Sequence, residues 1–394
     1  MSKLGRIFAI AALIALTGCA AQSKQKRARV SDWESAKRLN RTVSPQGTEP
    51  QVATVLAPAL PPQVSASRET WISLTRWCKD NGFRSPRQIS NSIPLEFELR
   101  STNGLFAFRI GERAIRWNGV ELRLGFAPVL IDSRPFVHTL DLKKNLEPLL
   151  AGAPFNLAGQ LPVIVLDPGH GGMNAGTRSI LSNNYEKEFT LDWALRLRPL
   201  LAAKGWRVFL TRTNDTDLSL SNRVGVAEDH HADLFVSLHF NSAGGGDTQA
   251  GLETYCLSPA GMPSTVTRGF PDDLGVSFPN NLFDAANLQL ALRIHRALLE
   301  ASHQQDRGIR RARFLGVLRN QHRPAILVEG GYLSNESEAR HIADPQFRQQ
   351  LAAAMAEALG QMIGTERAPG IASEAARLGP EASETPSTNG DDER

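Results

Sequence analysis

The chain has 394 residues, of which 41% are hydrophobic, so it is long enough to bury the core of one large domain or of two medium ones. Its formal net charge of +4 is small for this length, and the charge is divided between a basic stretch at residues 24–41 and a tail that leans acidic after Glu366. This distribution argues against a nucleic-acid-binding protein, and we expect no nucleic acid among the partners.

Residues 1–19 carry a targeting signal. Lys3 and Arg6 precede an apolar run over residues 7–16, which is too short to span a bilayer as a mature helix and predicts a cleaved signal peptide. The run closes with LTGC, a sequence that resembles the lipobox of bacterial lipoproteins, and this resemblance implies that Cys19 is acylated. The alternative is an ordinary secretory signal with a chance cysteine, and export is expected in either case.

An exported and acylated chain is expected in the cell envelope, on the periplasmic side, with a lipid anchor at Cys19 in the membrane. Ala20 and Ala21 follow the cysteine, where an Asp would favour the inner membrane, so we expect the outer membrane. Residues 20–65, which are rich in Gln, Ser, Pro and Ala, are predicted to form a flexible linker, and residues 367–394 a disordered tail.

Residues 67–150 are predicted to form a small, β-rich α+β accessory domain. Short alternating stretches are separated by Asn-Gly turn signals at residues 103–104 and 118–119, which predict β-hairpins. From Ser101 onwards the pattern resembles the small N-terminal domain first described in copper amine oxidases, and a generic accessory domain is the alternative. The pattern contains no catalytic motif and does not indicate a ligand.

Residues 161–363 show strands and helices in alternation. This order predicts a mainly parallel sheet covered by helices on both faces. Strands are predicted at residues 163–166, 206–210, 234–239, 252–257 and 325–329, and helices at residues 188–203, 219–229, 285–301 and 345–362.

Two cysteines, Cys78 and Cys256, lie beyond the predicted signal and fall in different predicted domains. A bridge between them is an open alternative, but neither has a histidine nearby in sequence that would favour a nucleophile. We expect both to be buried, small hydrophobic side chains.

The sequence VIVLDPGHGGMNAGT, residues 163–177, has the form of a strand that ends in a functional loop. The β-branched run predicts a buried strand, and the turn-forming residues after it place His170 just past the carboxyl end, where ligands bind in open α/β sheets. A nucleotide-binding loop is excluded because Asn174 stands where GxGxxG needs its third glycine and because no lysine follows as in a P-loop.

Polar residues stand at the ends of three apolar strands, at His170, His239 and Glu329, and Glu186 begins a helix after the first strand. Two imidazoles and a carboxylate are a common ligand set for catalytic Zn²⁺, and a further carboxylate beside them could act as general base. The alternative for each histidine is a structural, hydrogen-bonded role, and for Glu186 a favourable helix N-terminus. Glu329 is costly to bury without a partner or a metal.

The motifs around these residues are similar to those of the zinc-dependent N-acetylmuramoyl-L-alanine amidases of the amidase-3 family. They occur in family order as DPGHGG, YEK, SLHFNS, GLETY, DRGIRRARFLGVLRN and PAILVEGGYLSNESEA. The resemblance covers nearly all of residues 161–363 and implies an α/β fold with a central, mostly parallel six-stranded sheet flanked by helices. It also implies that His170, Glu186 and His239 bind Zn²⁺ and that Glu329 is the catalytic glutamate.

The resemblance further implies hydrolysis of the amide between N-acetylmuramic acid and L-alanine in peptidoglycan, in cell-wall remodelling or daughter-cell separation. Zn²⁺ would polarise the scissile carbonyl, and Glu329 would take the proton of the attacking water and return it to the leaving amine. Asp167 and Asn241 flank the ligands and are candidates for orienting the imidazoles, or else cap a turn after a strand.

Residues 258–281 form an insertion rich in Pro and Gly. Some family members carry a helix near this place that blocks the zinc site until a partner protein removes it. Pro263, Pro271 and Pro279 argue against a long helix, so we expect open access or a loop-shaped substrate wall, and a protein activator is an open prediction.

Two other functions are compatible with these residues. The same metal site could cleave a different amide, as in zinc carboxypeptidases or peptide-trimming hydrolases. A catalytically inactive protein that binds peptidoglycan or activates another enzyme could retain the fold. Such proteins commonly lose at least one site residue, whereas all four expected residues are present here.

Overall fold

The computed structural model describes residues 70–150, 161–243, 248–266 and 271–363. The predicted signal peptide with Cys19, the predicted linker at residues 20–65 and the predicted tail at residues 367–394 lie outside the described residues. The expectations for these segments therefore remain predictions.

Two β-sheets contain the strands of the described residues. The strands are β1 (Trp71–Ser73), β2 (Arg87–Ser90), β3 (Glu96–Arg100), β4 (Leu105–Arg109), β5 (Ala114–Trp117), β6 (Val120–Arg123), β7 (Val129–Ile131), β8 (Arg134–His138), β9 (Val163–Pro168), β10 (Arg207–Leu210), β11 (Leu234–Asn241), β12 (Leu252–Cys256), β13 (Asp306–Arg311) and β14 (Ala325–Tyr332). Eleven of them form one sheet in the order β10-β9-β11-β14-β12-β13-β6-β5-β4-β3-β2, and β1-β8-β7 form a small second sheet.

Helices of the described residues cover these sheets. The α-helices are α1 (Leu74–Asp80), α2 (Thr139–Asp141), α3 (Glu147–Leu150), α4 (Glu186–Ala203), α5 (Leu220–Asp229), α6 (Asp284–Ser302), α7 (Gly316–Arg319), α8 (Glu336–Ala343) and α9 (Pro345–Gly360), with a π-helix at Leu142–Leu146 and a 3₁₀ helix at Pro279–Phe283. The side chain of Ser219 caps α5, and that of Asp344 caps α9 ahead of its first-turn proline, so both helices begin where the sequence predicts.

The six strands from β10 to β13 form the mostly parallel sheet that the sequence predicts. Four of the five pairings between them are parallel, and β12 runs antiparallel to β14. Strands β9, β11 and β14 are buried along their whole length, which is why their sequences are continuous apolar runs rather than alternating ones. The predicted fold class is confirmed.

Helices lie on both faces of this sheet. Alternate residues of β9 point to opposite sides: Ile164 and Leu166 pack in a cluster with residues of α4, α6 and α9, whereas Val163 and Val165 pack in a second cluster with residues of α5 and α7. Trp193 of α4 is the largest of the fully buried side chains in the first cluster. The central strands therefore run between two cores, and the carboxyl ends of β9, β11 and β14 lie at one edge of the sheet.

The predicted hairpins of the accessory part are present. β3 pairs with β4 and β5 pairs with β6, in both cases antiparallel and across a predicted Asn-Gly turn. Asn118 and Gly119 have φ angles of +49° and +85°, the two left-handed conformations that a two-residue type I′ turn needs. The Asn118 side chain also accepts a hydrogen bond of 2.7 Å from the backbone N–H of Leu105 in β4.

One sheet runs through the accessory part and the C-terminal part. β6 pairs in parallel with β13 through Leu122 and Ile309, which are both fully buried. The Asp306 carboxylate accepts a hydrogen bond of 2.7 Å from the backbone N–H of Glu121, and a Cβ on Gly308 would lie 3.0 Å from Glu121. The sequence did not predict this joint between β6 and β13, because the charged residues of DRGIRR are not typical of a buried strand.

Cys78 and Cys256 are free thiols, and both are fully buried. Burial raises the pKa of each thiol to about 12, so both are protonated at neutral pH. The interpretation as small hydrophobic side chains is confirmed.

The described residues of the 258–281 insertion contain no α-helix, as the prolines predict. The insertion follows Cys256 at the end of β12, and because β12 is antiparallel to β14, this end lies at the opposite edge of the sheet from Glu329. Met262 is fully buried against Gly125 of the accessory part, where a Cβ would lie 2.4 Å from the Met262 Cγ. This part of the insertion therefore packs against the accessory part.

Replacement of Leu122 by Ala tests the joint between β6 and β13. Because Leu122 is fully buried, the cavity should lower the free energy of unfolding by about 2–5 kcal/mol. The loss should appear in one urea transition, seen by tryptophans of both parts, since they share a sheet. Leu130→Ala, at a side chain that is 38% exposed, is the control and should cost less than about 1 kcal/mol. Two separate transitions or an unchanged midpoint would contradict the joint.

Candidate metal centre

Four polar side chains singled out from the sequence lie together at the carboxyl ends of the central strands. His170 follows β9, Glu186 is the first residue of α4, and His239 and Glu329 are direct neighbours in register on β11 and β14. All four are buried, and both glutamates are completely inaccessible to solvent. The structure thus brings together the residues that the sequence predicts at one edge.

The two imidazoles and the Glu186 carboxylate form one cluster. Glu186 Oε1 lies 2.8 Å from His239 Nδ1 and 3.1 Å from His170 Nε2. The ring centroids of the two histidines are 4.9 Å apart, and the ring planes are inclined at 79°. One donor atom from each of the three residues lies within 4.8 Å of the others, so these atoms could share a single metal ion.

Further contacts orient the members of the cluster. His170 Nδ1 lies 2.8 Å from Asn174 Oδ1, so a proton on Nδ1 is donated to the amide oxygen and Nε2 is left for Glu186 or a metal. The Glu186 carboxylate accepts hydrogen bonds of 3.1 Å from the backbone N–H groups of Phe240 and Thr177. Contacts of this kind fix the direction of ligand atoms and tune their basicity.

Glycines let the loop after β9 come close to the cluster. His170 itself has a φ of +63°, a left-handed conformation that is uncommon for a residue other than glycine and is found at functional sites. A Cβ on Gly169 would lie 2.2 Å from His239 Cε1, and a Cβ on Gly176 would lie 2.8 Å from Glu186 Oε2. Both positions therefore need glycine for close packing against the cluster.

Two buried arginines, which the sequence did not reveal, hold this loop. Arg212 donates to the carbonyls of Pro168 and Gly169, at 3.0 and 2.8 Å, and Arg223 donates to those of Pro168 and His170, at 2.9 and 2.7 Å. Burial, followed by the charge of Arg223, lowers the pKa of Arg212 to about 10, which still leaves it charged at neutral pH. The signal in the sequence was an arginine just after a predicted strand.

Asp167 contacts the loop through an arginine. Its carboxylate accepts hydrogen bonds from Thr211, at 2.6 Å, and Ser237, at 2.7 Å, and pairs with Arg223 at 2.6 Å. Burial works to raise the pKa of Asp167, but the charge of Arg223 and these hydrogen bonds hold it below its ordinary value. Asp167 therefore reaches the backbone of His170 through Arg223.

Asn241 belongs to a second buried cluster, which is centred on Glu253. Its amide donates to Glu253 Oε2 at 3.0 Å, and the hydroxyls of Tyr255 and Tyr332 donate to the same carboxylate at 2.7 and 3.2 Å. Glu253 is the antiparallel neighbour of Glu329 in the sheet. Asn241 thus supports the part of the site next to Glu329.

The donor atoms fit a divalent metal ion of borderline softness. Two imidazole nitrogens and one carboxylate oxygen converge, and Glu329 lies beside them on the next strand. Catalytic zinc sites use such ligands in threes and keep a further position for water or substrate. Fold and site together define a class of protein: an α/β fold with a candidate metal site and an adjacent carboxylate at the carboxyl edge of its sheet.

Comparison with known proteins assigns a family to the part of the chain that contains this site. The family model Amidase_3, described as N-acetylmuramoyl-L-alanine amidase, matches residues 164–361, half of the chain. The sporulation-specific N-acetylmuramoyl-L-alanine amidase of Bacillus subtilis (strain 168) is 32% identical over 206 residues, covering 52% of this chain and 69% of that protein. The amidase AmiA of Escherichia coli (strain K12) is 30% identical over 221 residues, covering 51% of this chain and 75% of that protein.

Among solved structures, the catalytic domain of CwlV, an N-acetylmuramoyl-L-alanine amidase from Bacillus (Paenibacillus) polymyxa var. colistinus, is 34% identical. It covers 51% of this chain and 97% of that chain, with a TM-score of 0.42. The present chain belongs to the Amidase_3 family of N-acetylmuramoyl-L-alanine amidases, as the family model and the curated relatives show. The predicted family and the predicted amidase are both confirmed.

Replacement of Gly169 by Ala should disturb the cluster through His239. The added Cβ would lie 2.2 Å from the imidazole, so the ring must move, and we expect the affinity for Zn²⁺ to fall by about 10- to 100-fold in calorimetric titration. Gly225→Ala is the matched control in α5, because an added Cβ there meets nothing within 4 Å, and its Zn²⁺ affinity should equal that of the native chain. Equal affinities in all three proteins would show that the ring is not a ligand.

Proposed function

We propose that the protein is a zinc-dependent hydrolase that cleaves the amide between N-acetylmuramic acid and the L-alanine of the peptidoglycan stem peptide. The observation that carries this proposal is the pairing of His239 with Glu329 in register, which sets a buried carboxylate beside the His-Glu-His cluster. The family description and the names of the curated relatives support this amide as the bond that is cleaved.

In this proposal His170 and His239 would hold the metal through an imidazole nitrogen each, and Glu186 through a carboxylate oxygen. When bound, Zn²⁺ supplies a Lewis acid that polarises the scissile carbonyl and lowers the pKa of a water molecule to about 7. Glu329 takes the proton of the attacking water and returns it to the leaving amine, a role that suits a carboxylate held on a rigid, buried strand.

Asp167 and Asn241 are positioning residues in this proposal. Asp167 holds Arg223, whose guanidinium binds the carbonyl of His170, so it fixes the loop that presents the imidazole. Asn241 holds Glu253 next to Glu329.

We place the enzyme in the cell envelope, on the periplasmic side, in wall remodelling or daughter-cell separation. Support for a lipid anchor at Cys19 comes from the LTGC sequence, and the outer membrane remains the predicted location. Within the part of the chain that the structure describes, no helix has both the length and the apolar character to cross a membrane. A protein activator remains a prediction, because the insertion begins at the opposite edge of the sheet from Glu329 and its lack of an α-helix does not bear on the metal site.

Glu329→Gln tests the assigned base. The full chain with one bound zinc should release intact stem peptides with a free L-alanine amine from purified sacculi, and the variant should keep its zinc but lose about 100- to 10,000-fold in rate. The same change at Glu336, an exposed residue of α8, is the control and should preserve the rate. A Glu329 variant with unchanged rate would disprove the role, and shortened peptides as products would favour the alternative amide.

Cys19→Ala tests the anchor. Cells that express the native chain and are fed a labelled fatty acid should yield a labelled protein, whereas the variant should carry no label, because lipidation in the lipobox interpretation requires the cysteine. The labelled native protein should also be recovered in the membrane fraction. Absence of label on the native chain would refute the anchor without affecting the proposal that Glu329 is the base.

A further inference from the structure

A row of charged side chains leads away from the metal cluster along the carboxyl edge. His239, Glu329 and Glu253 lie in register on the neighbouring strands β11, β14 and β12. Residues in register share a face of the sheet. The next strand, β13, carries Arg307, whose Nε donates to Glu253 Oε1 at 2.8 Å. A cation therefore ends a row that begins at a candidate metal ligand.

The Arg307 guanidinium lies at the rim of the site. Its side chain is 22% exposed, and a terminal nitrogen donates to Gln249, in the loop that follows β11, at 3.3 Å. The guanidinium carbon lies 5.0 Å from the ring centre of Tyr332, a contact that restricts its rotation. The other terminal nitrogen has no hydrogen bond to a described residue, so it is available to a ligand.

Arg310 differs from Arg307 in its surroundings. Its side chain is 11% exposed, its terminal nitrogen lies 3.5 Å from Glu253 Oε1, and its Nε donates to the carbonyl of Arg307 at 2.8 Å. Burial works to raise the pKa of Glu253, but Arg310 and Arg307 hold it below its ordinary value, so Glu253 is ionised at neutral pH. One carboxylate is thus shared by two guanidiniums, of which Arg307 is the more exposed.

We propose that Arg307 binds a free carboxylate on the second residue of the leaving stem peptide. The inference rests on the proposed function, because it places the scissile amide between the metal cluster and Glu329. Neighbouring strands are about 4.8 Å apart, so β13 lies about 10 Å from β14, and Arg307 reaches back from β13 towards Glu253. Two extended residues span about 7 Å, which brings the second residue within reach.

The chemistry of the ligand follows from the guanidinium. A guanidinium nitrogen donates a charge-assisted hydrogen bond to a carboxylate, and an uncharged amide in the same place lacks the attraction between opposite charges. A stem peptide with γ-linked D-glutamate in second place has a free α-carboxylate, whereas D-isoglutamine has an amide of the same shape. The proposed contact therefore distinguishes two stem peptides that differ in one group.

A pair of muramyl peptides tests this contact, one with γ-linked D-glutamate and one with D-isoglutamine at the second position. The zinc-loaded full chain should cleave the glutamate substrate with a kcat/KM about tenfold higher, since the amide loses a charged hydrogen bond. Arg307→Gln should abolish the preference, because kcat/KM for the glutamate substrate should fall about tenfold further than kcat/KM for the isoglutamine substrate, which itself falls because Glu253 loses one of its two guanidinium partners.

Arg310→Gln is the matched control. It removes the other guanidinium from Glu253, so it should lower kcat/KM for both substrates by the same factor and leave the preference intact. An equal loss for both substrates in the Arg307 variant would make Arg307 a structural residue and overturn the inference. A native chain without a preference would also overturn it.

Binding separates this inference from the proposed function. If the native chain cleaves neither substrate at the amide of L-alanine, the proposed function fails. Zinc-loaded Glu329→Gln protein should nevertheless bind the glutamate peptide about tenfold more tightly than the isoglutamine peptide in calorimetry. Adding Arg307→Gln to that variant should make the two affinities equal. Equal affinities before Arg307 is changed would refute the contact.

Discussion

The buried carboxylate of Glu186 is the group on which the arrangement of the candidate metal cluster depends. A carboxylate without access to solvent must be paired or hydrogen-bonded. Glu186 meets this need through both imidazoles and through the backbone N–H groups of Phe240 and Thr177. The first residue of α4 must therefore lie against the end of β11 and beneath the loop after β9. The glycines of that loop and the arginines behind it make this approach feasible.

Continuity of the sheet explains how the accessory part supports the site without reaching the metal cluster. β13 lies between β12, which carries Glu253, and β6 of the accessory part. Two consecutive residues of β13 contact the strands on either side. Asp306 accepts a hydrogen bond from the backbone N–H of Glu121 on β6, and Arg307 donates one to Glu253 on β12. His295 braces the same place, with its Nε2 lying 3.0 Å from Asp306 Oδ1. Both parts of the chain thus build the region next to the proposed base.

Apolar runs that end in a polar residue predicted the central strands other than β13 and the common edge at which His170, His239 and Glu329 lie. Glu186 was predicted separately, as the residue that begins the helix after the first strand. β13 escaped prediction because its arginines have distant partners, Arg307 at Glu253 of β12 and Arg311 at Asn145, and this tertiary effect outweighs local propensity. The arginines that hold the loop after β9 escaped for a similar reason, since their partners are backbone carbonyls. The partners of Asp167 and Asn241 likewise depend on strand order and on the bulge after His239.

The joint between β6 and β13 has a consequence for solubility. A chain reduced to the family match would lack β6, and β13 would then present unpaired N–H and C=O groups beside an uncovered Ile309. Such an edge is a template for pairing with another chain. In the intact protein the sheet ends instead in β2, a four-residue strand with Arg87 and other exposed side chains, and short, charged edge strands resist such pairing. The accessory part therefore protects the amidase from self-association.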